Sequence, residues 1–308
     1  MTKRFFLNIL AFAVGVLSPV FAAEPLPVRI GYATALHGQV GKTLAKTDIA
    51  AKHGLDARLT FFQYGPPQIE GLVSKTLDVS ITSLVPTASY LEKQPGAVKV
   101  IAELGQSIHG VLVQGESEYK SLADLKGRTI GVPFGSDSHA DLLIALKAAG
   151  LKAGVDVKLQ NLAPSEQGAV FQQKLVDAVL ARPPLLQRLQ REHGARLIQQ
   201  WPHHLWVIAR SDFLQANPGV EAKLKAALKD ALVYVNEHLE ETSAWYAEDL
   251  RQKPEAVSAV AKLNPLFVLK DPSSASIEPS AELRAFADRR AEELVEVGLN
   301  KNRVTFFP

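Results

Sequence analysis

Five times in this chain a short apolar run ends in glycine, proline or hydroxyl residues and passes directly into a helix start. The stretches are "VRIGYATALHG", "LTFFQYGPPQIE", "VSITSLVPTA", "TIGVPFGSDSHADLL" and "AVLARPPLLQ". Strands that alternate with helices build mainly parallel sheets flanked by helices on both faces. In such sheets small ligands bind beyond the carboxyl ends of the strands. The candidate site therefore lies in the loops 34–41, 64–68, 82–87, 134–139 and 182–185.

The rest of the pattern fits the same α/β class. Apolar alternation predicts separate strands in "VKVIAELG" and "HGVLVQGES", and again in "RLIQQ" and "LWVIA". Helices are predicted over 43–53, ended by Gly54, and after Pro66-Pro67, whose missing N–H costs nothing in a first turn. Further helices are predicted from Pro86-Thr87 and over 138–149. "SLAD" at 121–124 reads as a capping box. From Pro218 onward the chain reads as helical, over 220–239, 242–250, 254–263 and 281–297.

Segment 1–22 reads as a cleaved secretory signal peptide. Lys3 and Arg4 open it, residues 5–16 form an apolar run too short to span a bilayer, and Val20-Phe21-Ala22 offers small residues for cleavage. This predicts export and a periplasmic location. Lys3 and Arg4 also account for the whole formal charge of +2, because without them 32 basic residues face 32 acidic ones. A neutral exported chain is a poor match to nucleic acid or to an anionic surface. The absence of cysteine excludes disulfides, thiolate metal sites and cysteine nucleophiles. At 308 residues the chain can stabilise itself by core burial, as two lobes.

"VRIGY", "KHGLDARL", "LVSKTLDVSITSLVP", "SLADLKGRTIGVPFGSDSHADLLIALKAAGL" and "LVDAVLARPPLL" occur in a telling order. The chain resembles the substrate-binding proteins of ABC importers for taurine, alkanesulfonates, nitrate and related compounds. The run S-x-x-D-L-K-G-[KR]-x-[IV]-x-V, followed by Gly-Ser-x-x-His, carries the resemblance most specifically. It implies a two-lobe type II periplasmic binding protein fold with the ligand in an interlobe cleft and no chemistry on that ligand. It implies lobe one at 24–109 plus 205–308, lobe two at 110–204, and crossing strands in "HGVLV" and "LWVIA". It also implies a cofactor-free monomer that hands its solute to an ABC permease in the inner membrane. Two places depart from the family pattern. Ala181-Arg182-Pro183-Pro184 stands where an aromatic and a proline are common, and the first loop is unlike the commoner apolar version. Both touch the expected pocket, so ligand identity stays open.

Within the loops, "GSDSH" at 135–139 has two readings. Ser138 with Asp141 forms a capping pair, S-x-x-D. Alternatively the free first-turn N–H groups, with Ser136, Ser138 and His139, cradle an oxyanion at the helix start. Asp137 would then point away or receive an amine. Thr82 and Ser83 end the third strand, and Ser83 or Thr87 either caps the next helix or meets the ligand. Tyr64 and Phe134 offer rings to the cleft or to the core, and Trp206 is a third aromatic candidate. His37 and Gln39 lie in the first loop. Arg182 is either a solvated strand-end arginine or a fork for bidentate pairing with a carboxylate, sulfonate or phosphate. His203 and His204 point to opposite faces of a strand and suit no shared metal ion. The carboxylates at 237–241 read as a solvated helix face.

These readings converge on a periplasmic receptor for a small anionic solute, with a sulfonate such as taurine or an alkanesulfonate first. Nitrate, a phosphonate, an aromatic carboxylate and a pyrimidine-type vitamin precursor are the alternatives within the same role. An enzyme on the same fold is the competing class, and no nucleophile–base–orienter set supports it. A partner role for a membrane sensor is a third, which the residues do not separate from transport.

Overall fold

The computed structural model describes residues 24–307, so the signal-peptide reading lies outside the described residues. The chain alternates as expected. It begins β1 (Leu26–Ala33), α1 (Gly38–Lys46), α2 (Ile49–Lys52), β2 (Leu55–Phe62), α3 (Gly65–Val73), β3 (Val79–Thr82) and α4 (Leu84–Lys93). It continues through β4 (Val98–Val113), β5 (Thr129–Val132), α5 (Asp137–Ala148), β6 (Lys158–Asn161), α6 (Pro164–Gln172), β7 (Ala178–Ala181), α7 (Leu185–His193) and β8 (Arg196–Arg210). Helices then follow without interruption by strands: α8 (Ser211–Ala216), α9 (Val220–Glu237), α10 (Leu239–Leu250), α11 (Pro254–Ala261) and α12 (Ala281–Glu296). None of the described helices is long and apolar enough to cross a membrane.

The eight strands run in the order β2-β1-β3-β8-β4-β7-β5-β6. Two parallel trios, β2-β1-β3 and β7-β5-β6, are joined by the antiparallel pair β4 and β8. At about 3.3 Å per residue, a 16-residue strand such as β4 spans some 50 Å and so reaches both trios. The sequence reading divided each of these long strands in two, and that is corrected here. Gly105 looked like a strand end but sits at φ +83° inside a register shift between Glu103 and Gln106. An extra residue there bends the strand without ending it. Pro202 likewise lies within β8.

The apolar cores divide near the same point. One group of buried side chains uses β4 up to Leu104 and β8 from Leu205 onward, with α9, α10 and α12. The other uses Val111 to Val113 of β4, with β5, β7, α5 and α7. The molecule is thus a two-lobe α/β structure whose strand ends face each other across a seam. Smaller differences from the sequence reading are local. The helix expected over 43–53 breaks at Thr47-Asp48, and α4 starts at Leu84, two residues before Pro86.

Candidate functional site

The first loop is fixed from behind. Tyr246 of α10 is fully buried and donates its hydroxyl to the carbonyls of Ala33, at 2.5 Å, and Ala35, at 2.8 Å. The approach is close enough to require glycine at position 38, where a Cβ would lie 2.1 Å from the Ala33 carbonyl oxygen. This puts His37 into the seam, 2% exposed, with neither ring nitrogen hydrogen-bonded. Burial, reinforced by the charge of Arg182, pulls its pKa down to about 3, so the ring is neutral. Gln39 braces the loop: its amide NH2 donates to the hydroxyls of Thr242 and Ser243 on α10, while its buried amide oxygen has no partner.

The loops after β2 and β3 meet. A Cβ on Gly65 would lie 2.3 Å from Pro86 and 3.2 Å from the Thr82 hydroxyl. Tyr64 precedes α3 and is half-buried. Thr82 is 2% exposed and its hydroxyl has no partner. Neither Ser83 nor Thr87 caps α4. Thr87 donates to the Ser83 carbonyl and accepts from the Trp206 indole. Ser83 donates instead to a carboxylate oxygen of Asp137, whose other oxygen accepts the Val85 N–H at 3.4 Å. A helix N-terminus attracts negative charge. Here Asp137 supplies it from the facing lobe, so one carboxylate caps α4 across the seam.

The "GSDSH" stretch resolves largely toward capping, by a different residue than expected. Ser136, not Ser138, is the N-cap of α5. Its hydroxyl accepts the His139 N–H at 3.3 Å and donates to the Pro133 carbonyl at 2.6 Å, which leaves it little capacity for an anion. Ser138 is buried in the first turn. His139 accepts the Gly135 N–H at Nδ1, stacks on Phe134 at 4.5 Å, and is pulled by burial to a pKa of about 4. Phe134 remains 38% exposed. Trp206, considered as a cleft wall, is fully buried against Phe306 in the core.

Arg182 stands apart. It follows β7, faces the seam, and makes no side-chain hydrogen bond or ion pair with any described residue. Arg182 lines a cavity of about 420 Å³ together with Gln63, Gln167, Arg188, Asp249 and Arg251. Burial lowers its pKa from the ordinary value, while Asp137 and Tyr246 act in the opposite direction. Arg182 is half-buried, and the nearby carboxylate of Asp137 acts on it without bonding it, so its guanidinium donors stay open to an anionic ligand.

Around this point the structure gathers residues that the sequence reading did not select. His203 of β8 is 2% exposed, 3.9 Å from Asp137, and its ring lies 5.3 Å from that of His109 of β4, tilted by 48°. His109 binds Asp141 at 2.7 Å, and the other oxygen of Asp141 accepts from Arg290 of α12 at 2.5 Å. Asp137 and Asp141 are four apart on α5, a spacing that places both on one helix face. That spacing was the available signal. His204 faces away and packs on Phe286 at 4.2 Å. No group of three or more histidine, aspartate or glutamate side chains among the described residues is arranged to hold a metal ion.

Comparison with known proteins adds to this geometry. A family model described as the NMT1-like family matches residues 22–248. A protein of Brucella abortus (strain 2308), named only as a binding protein, is 30% identical over 243 residues, which is 75% of this chain and 73% of the relative. The taurine-binding periplasmic protein of Escherichia coli (strain K12) is 28% identical over 260 residues, 79% of this chain and 75% of that protein. The alkanesulfonate-binding protein of Xanthomonas axonopodis pv. citri, solved with MOPS bound, shares the fold at a TM-score of 0.75 and 20% identity, over 92% of this chain and 98% of its own. A desulfurization enzyme shares it at a TM-score of 0.63 and 17% identity, over 91% and 95%.

Proposed function

The chain belongs to the NMT1-like family, and from that premise we propose that it is the periplasmic solute receptor of an ABC importer. Its solute is a small organic anion, with a sulfonate as the leading class. The observation that carries the reading is the unpaired guanidinium of Arg182 at the seam. Around that seam lie the neutral ring of His37, the unpartnered Thr82 hydroxyl and the free Nδ1 of His203. Lobe one, residues 24–109 with 205–308, and lobe two, residues 110–204, close around the solute. A ligand that touches both lobes favours the closed state. The closed surface is what a membrane permease reads, and the receptor acts as a monomer.

The same arrangement serves nitrate, phosphonate, an aromatic carboxylate or a pyrimidine-type precursor, with the anion or acceptor end on Arg182. The relatives named for binding support a receptor rather than an enzyme. A desulfurization enzyme has this fold, so fold alone does not decide. At the seam His109 is committed to Asp141, and the sequence has no cysteine to serve as a nucleophile.

Calorimetric titration of the mature protein with sulfonates, nitrate, phosphonates and carboxylates tests the reading. Binding by one anion class, weakened tenfold to more than a hundredfold in Arg182→Met, is the expected result. That range corresponds to loss of a charged hydrogen-bond partner worth about 1.5–3 kcal/mol. Equal affinity in the variant, or turnover of the bound compound, would overturn it.

A further inference from the structure

Beyond the anion itself, we infer that the solute carries a bulky apolar body, an alkyl chain of several carbons or an aryl group, and that Trp201 marks where this body lies. The inference rests on the receptor reading above and names its substrate class. The observation is a second cavity, of about 790 Å³, next to the arginine-lined one. Pro183 lines both cavities. Leu36, the neighbour of His37, lines the larger one. The two cavities therefore meet at Pro183, next to Arg182 in the chain, and differ in chemistry.

Trp201, Ile108, Pro183, Leu263 and Leu266 supply the apolar wall of the larger cavity. Its volume falls in the range of roughly 300–1,000 Å³ that takes drug-sized ligands, far more than a two-carbon solute fills. Its charged lining is acidic: Glu103 accepts the Ser280 N–H and Glu278 pairs with Lys225. The smaller cavity sets Arg182, Arg188 and Arg251 against one carboxylate, Asp249, which Lys42 already pairs at 2.7 Å, so an anionic head is attracted there and repelled in the larger one. The ligand is thereby oriented, head toward the arginines and body over Pro183 toward Trp201. The cavity also lies against the bent part of β4, since a Cβ on Gly105 would touch Asn264 and Leu266 at 3.0 Å. An apolar body placed there contacts the crossing strand and the loop before α12 together.

The test is a homologous series of methane-, propane- and pentanesulfonate, with naphthalenesulfonate and taurine, titrated calorimetrically. The matching carboxylates form a second arm. Burial of one methylene is worth about 0.8 kcal/mol, or roughly fourfold in affinity. The series should climb about a hundredfold or more from one carbon to five, with taurine among the weakest. Trp201→Ala should reduce the gain per methylene. Leu263→Ser, at a position 68% exposed and so safe for folding, should reduce it less. Binding that is flat along the series, or strongest for taurine, overturns the inference and leaves the receptor standing. Binding by no sulfonate or carboxylate overturns both. A slope unchanged in both variants removes the Trp201 cavity from the site.

Discussion

Arg290→Met is the substitution from which most can be learned about the closed seam. Arg290 is 8% exposed, Asp141 is 4% exposed, and the two are bonded at 2.5 Å across 149 residues of chain. Removing one partner of a buried pair costs about 3–5 kcal/mol, because a charge is left behind. Asp141 keeps His109, so the lower end, about 3 kcal/mol, is expected. At about 2–4 °C per kcal/mol for chains somewhat smaller than this one, the melting temperature should fall by roughly 6 °C or more. Asp141→Asn with Arg290→Met removes the stranded charge. The double variant should therefore recover part of the loss, with a coupling of about 0.5–3 kcal/mol. The pH dependence has a definite sign. Burial alone would raise the Asp141 carboxyl, but the hydrogen bond and charge of His109 and the charge of Arg290 outweigh it and hold it below the ordinary value. Such a group stabilises the fold above the unfolded carboxylate pKa, about 3.9, and loses that contribution as pH falls through the folded value. The cost of Arg290→Met should thus be greatest near pH 7 and shrink below about pH 4. Urea melts of the four proteins at pH 7 and in the acid range measure all three quantities. A loss under about 1 kcal/mol, additive single substitutions, or a cost independent of pH would refute the role assigned to this pair.

Three further outcomes follow from other contacts at the seam. Tyr246→Phe removes the donor shared by the Ala33 and Ala35 carbonyls, so stability should drop by about 1–2 kcal/mol and solute affinity with it. An unchanged affinity in titration would mean that the first loop holds its shape alone. The Asp137 carboxyl is pushed up by burial, more than the Ser83 hydrogen bond pulls it down, and it lies near Arg182. Asp137→Asn deletes the charge and keeps one oxygen, enough to accept from Ser83 or from Val85 but not both, and anion affinity should rise severalfold. A fall would show that the carboxylate binds a cationic group of the solute, as an aminosulfonate would provide. His37, neutral with its pKa near 3, takes up a proton on unfolding below about pH 6.5. It stabilises the fold fully above that pH and loses the contribution toward pH 3, by up to about 1.4 kcal/mol per pH unit. His37→Gln should flatten the acid slope of stability between pH 6.5 and 4, and an unaltered slope would count against a dry ring.

The strand-to-helix loops were legible in the sequence because their chemistry is local. Pro66-Pro67 fits only a first turn, and "VSIT" is short, apolar and bounded by hydroxyls. The two long crossing strands were not legible as single elements. Gly105 and Pro202 look like breaks, and only pairing between lobes carries the backbone through them. The seam follows the same division. A hydroxyl at a helix start can cap, bond a neighbour or meet a ligand, and nothing within its own turn decides among these. Ser136 capped its helix, Ser83 turned to Asp137, and Thr82 stayed unpartnered. Ser136 found its partners in its own turn, Pro133 and His139, whereas the partner of Ser83 lies 54 residues away in the facing lobe. Arg182 is the informative contrast. A guanidinium has five donors in a fixed fork, and a loop of alanine and prolines offers it no side-chain acceptor. Its sequence context therefore already implied a distant partner or none, and no described residue bonds its side chain at the place where two lobes close.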